Sequence, residues 1–94
     1  MRPLLVVALL LCAIMPAFAA PTQAQKDEFY AVCMGIAQDA KLCGCKAAAA
    51  MDLIDERFMG VVIASMKGCA TAPEDAAPYN SYVARSNQIC KPNY

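Results

Sequence analysis

Five cysteines in a short chain that opens with an export-type leader limit what this sequence can fold into. Of the six cysteines in the 94 residues, Cys12 falls inside an N-terminal apolar run, and Cys33, Cys43, Cys45, Cys69 and Cys90 follow it. The run has Arg2 before it and the small-residue end Ala17-Phe18-Ala19 after it, the layout of a secretory signal peptide cut after Ala19. Cleavage after Ala20 would leave Pro21 at the new N-terminus and is the second choice. Leu4 to Met15 is an apolar stretch of only twelve residues, short of a membrane span. Lipid attachment at Cys12 would require small residues just before it, where Leu10 and Leu11 stand. The expected organisation is a signal peptide over 1–19 and one helical, cysteine-rich domain over 20–94, periplasmic or secreted. In such compartments cysteines are disulfide candidates.

Removing residues 1–19 of the 94 leaves 75, enough for one small domain. A core of that size is modest, and small exported domains commonly add cross-links. Losing Arg2 leaves seven Lys/Arg against eight Asp/Glu, so no basic surface is expected for nucleic acid. The chain contains no His, which removes the commonest general base and metal ligand and any Ser–His hydrolytic arrangement.

Helical periodicity runs through the whole domain. Thr22-x-x-Gln25 fits a capping box, and Phe29, Val32, Cys33, Ile36, Ala37 and Ala40 form one face of a first helix over Pro21 to Ala40. The break is expected at Lys41-Leu42-Cys43-Gly44-Cys45. A second helical stretch from about Lys46 to Lys67 opens on four alanines and carries Ala47, Ala50, Met51, Ile54, Phe58, Val61 and Val62 as its core stripe. Asp52 to Glu56 marks a place where this stretch can kink, with Asp55 capping a separate second half. Gly68 ends it, and residues 69–78 read as a connecting loop with at most one turn after Thr71-Ala-Pro-Glu74. Tyr79, Tyr82, Val83, Ser86, Ile89 and Cys90 then keep helical spacing until Pro92. The fold class is all-α, a disulfide-stabilised bundle of three helices, or four if the second one breaks.

Five cysteines cannot all pair within one chain. An antiparallel hairpin brings Cys33 to the Cys43-Gly-Cys45 segment, and a returning third helix carries Cys90 to the same end. The preferred pairing is Cys33–Cys43 with Cys45–Cys90, and exchanging Cys43 with Cys45 stands close behind it. Cys69 is left over, as a free thiol or an intermolecular link. The loops closed contribute several kcal/mol on the chain-entropy estimate, so a structural role for these cysteines is favoured. C-x-C beside methionines also suits Cu(I). Met34, Met51, Met59 and Met66, however, fall on the apolar helical spacing where Met fills core gaps. Thiol–disulfide exchange would want C-x-x-C beside a βαβ pattern, and the chain has neither. Adjacent acids such as Asp27/Glu28, Asp55/Glu56 and Glu74/Asp75 split across helix faces and read as caps and solvated surface.

The run Phe29…Cys33…Cys43-Gly-Cys45…Phe58…Tyr82…Cys90-Lys-Pro92 resembles small exported, cysteine-containing helical proteins of proteobacteria. The resemblance implies location and fold rather than an activity. Its pattern has four cysteines, to which Cys69 is an addition. The expected function is non-enzymatic, with no cofactor and no metal site. It is expected to act by binding another protein in an accessory, envelope-stress or immunity-type role. The alternative is a periplasmic carrier of a small hydrophobic ligand or soft metal. The Met59–Met66 segment, nearly all apolar, discriminates between them. Left exposed, it favours a protein or lipid partner, including a homodimer linked through Cys69; a cavity beneath it favours a ligand.

Overall fold

A computed structural model describes residues 19–91, which form four α-helices and no strand: α1 Gln23–Ala37, α2 Ala40–Leu53, α3 Glu56–Met66 and α4 Pro73–Ile89. The leader up to Phe18, with Cys12, and the Pro92 helix stop lie outside the described residues.

The capping box at the start of α1 is complete. Thr22 Oγ1 accepts from the Gln25 backbone N–H and Gln25 Oε1 accepts from the Thr22 N–H, both at 3.0 Å. Gln25 Nε2 also donates to the Glu56 carbonyl at 3.0 Å, and the Glu56 N–H donates to the Ala19 carbonyl at 2.8 Å. The two bonds tie the N-terminal segment and the start of α1 to the start of α3.

The first break falls earlier than the cysteine motif. Gln38 adopts the left-handed conformation at φ 55°, and Asp39 caps α2 by accepting from the Leu42 N–H at 3.0 Å. Asp is among the strongest N-caps, so helix resumes at once and Cys43-Gly44-Cys45 sits inside α2 rather than in a turn. Ile36 and Ala37 consequently lie in the last turn of α1, and Ile36 is 63% exposed.

The long second stretch divides in two. Ile54 leaves helical geometry at φ −135°, ψ 163°, and Asp55 Oδ1 accepts from the Phe58 N–H at 2.8 Å to start α3. The bundle therefore has four helices. At its other end α3 closes with Gly68 at φ 100°. The Cys69 N–H bonds to Ala64 O and the Gly68 N–H to Ser65 O, each at 3.0 Å, a Schellman arrangement that needs the left-handed residue glycine supplies.

Residues 73–78 are helical, contrary to the loop read from their two prolines. Pro73 occupies the first position of α4, where no intrahelical N–H is needed. Pro78 is accommodated one turn later, at the cost of the bond its missing N–H would make to the Glu74 carbonyl. Asp75 anchors this turn: it is 8% exposed and its carboxylate receives Arg57 Nη2 at 3.0 Å. Thr71 does not cap α4; its hydroxyl lies 3.3 Å from that of Ser65.

The core takes Phe29 and Cys33 from α1, Cys43, Ala47 and Ala50 from α2, Phe58, Met59, Val62 and Ile63 from α3, and Tyr82 from α4, with Ile54 between α2 and α3. Within Met59–Met66, Met59, Val62 and Ile63 are buried and Val61 and Met66 are half-buried. The monomer itself covers most of this face.

Disulfides join Cys33 to Cys43, with Cα atoms 5.6 Å apart, and Cys45 to Cys90 at 5.8 Å. Residues two apart on a helix point about 200° from one another. Cys43 therefore turns to α1 and Cys45 to α4, which is why the C-x-C clamps both neighbours of α2. Cys69 is exposed and free.

Candidate binding groove

Helix α4 rests principally on α2, while α1 packs against both α2 and α3. Light contact of α4 with α1 and α3 leaves an open groove of about 240 Å³ between them. Its floor is Val62 and Met66 of α3; Ile36 and Leu42 form one wall and Tyr79 and Val83 the other. This cavity lies against the apolar segment that the sequence singles out, since Val62 and Met66 belong to it.

Lys46, Tyr82 and Ser86 supply the groove with polar side chains. Lys46 Nζ donates to the Ser86 hydroxyl at 2.7 Å and to Asn87 Oδ1. Neither partner is charged, and burial pushes the Lys46 ammonium below the ordinary lysine range. Ser86 is 1% exposed, its hydroxyl occupied by the lysine. The Tyr82 hydroxyl is buried and has no hydrogen-bond partner. Burial foremost, with the neighbouring Tyr79 adding to it and Ser86 opposing it, pushes Tyr82 up to about 12.

Tyr82 also borders a second, more polar depression of about 300 Å³ on the far side of α4, between Ile54, Phe58, Pro78 and Arg85. Arg57 lies across its edge with its guanidinium 5.7 Å from the Phe58 ring centroid and its charge committed to Asp75. The same pairing with Asp75, through a hydrogen bond and charge, raises the Arg57 pKa further above its usual range.

No protein-family model, curated protein or solved structure matches this chain. Chemistry must be read from the side chains themselves. Cys33, Cys43, Cys45 and Cys90 are brought to one end of the bundle and spent in two bridges, so none is a thiolate for a soft metal. Met59 is fully buried in the core, and Met34, Met51 and Met66 pack against it. Among the described residues no three His, Cys, Asp or Glu side chains gather as a metal site. Cys69 stands apart, on the exposed turn after α3.

Lys46 is the groove side chain that sequence periodicity passes over. It sits beside the alanine stripe as a lone charge, ordinarily read as solvated surface. Its signal lies in the pairing: if Cys45 bonds Cys90, the next residue on α2 meets the residue one turn before Cys90 on α4, which is Ser86.

Proposed function

We propose that this chain is an exported, non-catalytic helical protein that carries a small hydrophobic ligand in the groove between α4 and the other three helices. One observation supports this reading above others. The apolar Met59–Met66 segment is packed inside the monomer, and an open cavity lies over Val62 and Met66. A volume of about 240 Å³ falls below the roughly 300–1,000 Å³ of ordinary small-molecule sites, so the occupant is compact or a single chain. The leader-like residues 1–19 and the two bridges support a periplasmic or secreted location. The chain has no histidine, and the Ser86 hydroxyl beside the Lys46 amine is 1% exposed and closed to a substrate, which supports binding rather than catalysis.

Binding to another protein remains the second reading, favoured by Ile36 and Ile89, which are 63% and 58% exposed at the cysteine-bridged end. The two readings separate on a groove-filling variant. Val83 is half-buried on the groove wall, so Val83→Trp fills the space without emptying the core. A neutral naphthylamine fluorophore should brighten with the oxidised wild type, be displaced by decanol, and fail to bind the variant, with both proteins melting alike. Equal binding by the variant, or none by the wild type, would overturn the ligand reading.

A further inference from the structure

The groove's polar groups carry information about its occupant. Lys46 is the only charged residue among those lining the groove. Ion pairs among the described residues join Arg57 to Asp75 and Lys67 to Glu28, and neither involves Lys46. An ammonium has three donors; Ser86 and Asn87 take two, and the third has no protein acceptor. Partial burial without a counter-charge is an unfavourable setting for a cation, and a bound anion would relieve it. Lys46 directly follows Cys45 and Ser86 lies one turn before Cys90, so both sit at the cysteine end of the groove. From there the walls towards Phe29 and Met66 are apolar.

We infer that the ligand is a single-chain monocarboxylate, its headgroup held at Lys46 and its hydrocarbon chain laid over Val62 and Met66. The charge complement fixes the headgroup: one uncompensated cation suits one negative charge. The volume fixes the body, since about 240 Å³ admits one medium-length chain and not a two-chain lipid. This assignment rests on the groove being the ligand site proposed above, and the test separates the two.

Decanoate and decanol share a chain and differ in the charge of the head. Isothermal titration of the oxidised wild type should give decanoate about tenfold tighter binding than decanol, equivalent to about 1.4 kcal/mol. Lys46→Met keeps the apolar stem and should bind decanol as before while losing the preference for decanoate; Lys46→Arg should restore part of it. The wild-type comparison does not depend on any variant folding. As a second readout, the Lys46 side-chain NMR signals should shift on adding decanoate and stay in place with decanol. Equal affinity for both ligands in the wild type overturns the carboxylate assignment and leaves the groove reading standing. Binding of neither ligand overturns both. A preference that survives in a folded Lys46→Met protein overturns the assignment of Lys46. Tighter binding of an apolar peptide through its free C-terminal carboxylate than of decanoate overturns the fatty-chain ligand in favour of a protein partner.

Discussion

Deleting the two bridges one at a time should give unequal losses of stability, in an order set by the chain between the cysteines. Cys33–Cys43 closes a separation of 10 residues and Cys45–Cys90 one of 45. Loop-closure entropy assigns about 2.7 kcal/mol to the first and about 4 kcal/mol to the second. The loops do not overlap in sequence, so the effects should add. At ~0.05–0.15 kcal/mol per residue the described domain holds only about 4–11 kcal/mol in all, so losing both bridges should unfold it or nearly so. Cys45→Ala/Cys90→Ala should melt about 16–32 °C below the parent and Cys33→Ala/Cys43→Ala about 11–22 °C below it, at ~4–8 °C per kcal/mol. Thermal and urea unfolding in a Cys69→Ser background, which prevents disulfide exchange, would measure both. A short-loop variant losing as much as the long-loop variant, or no loss in either, would refute the loop-closure reasoning.

Other consequences follow from single side chains. Tyr82 titrates near its usual value of 10 when unfolded and at about 12 when folded, so the stability gained by keeping it neutral is fully present below pH 10 and lost as pH rises through about 12. Urea midpoints should therefore fall more steeply over that window for the wild type than for Tyr82→Phe, by about 3 kcal/mol in total; parallel decline in both proteins would contradict the burial of the hydroxyl. At neutral pH Tyr82→Phe should hold or gain stability, because it deletes a buried donor that has no partner. Asp55→Ala removes the cap that separates α2 from α3 and should cost about 1 kcal/mol in urea unfolding, with no cost if the break were maintained by packing alone. Cys69 should be the one thiol that reacts with a maleimide in the native protein, and Cys69→Ser should abolish any dimer seen on a non-reducing gel. N-terminal sequencing of the exported protein should start at Ala20; retention of Met1 would remove the argument for an oxidising compartment.

Most of the helical organisation could be read from apolar spacing, and its misplacements share a physical origin. Periodicity identifies a face without saying where an opposing element stops. Ile36 and Ile89 keep the register of their helices, yet each lies at a helix end with nothing packed over it. The Cys43-Gly44-Cys45 segment looks like a turn because Gly44 weakens a helix, but an Asp39 cap on one side and four alanines on the other outweigh one glycine. The prolines misled in the same way. Pro73 belongs at a helix start, and Pro78 costs a single bond in a turn that buried Asp75, paired with the exposed Arg57, already fixes. Asp55 was legible as a break because its carboxylate caps locally. The groove was not, since it arises from the α4 backbone lying close to α2 and farther from α1 and α3, a relation between elements far apart in sequence.

The most direct test of ligand carriage is an NMR titration of the oxidised wild-type protein with decanol, following methyl signals across all four helices. Binding in the groove should shift Ile36, Val62, Met66 and Val83 together along one saturating curve and leave Ile54, at the depression beyond Tyr82, unmoved. Shifts centred on Ile54, or a weak response spread over the whole surface without saturation, would contradict the groove as the binding site.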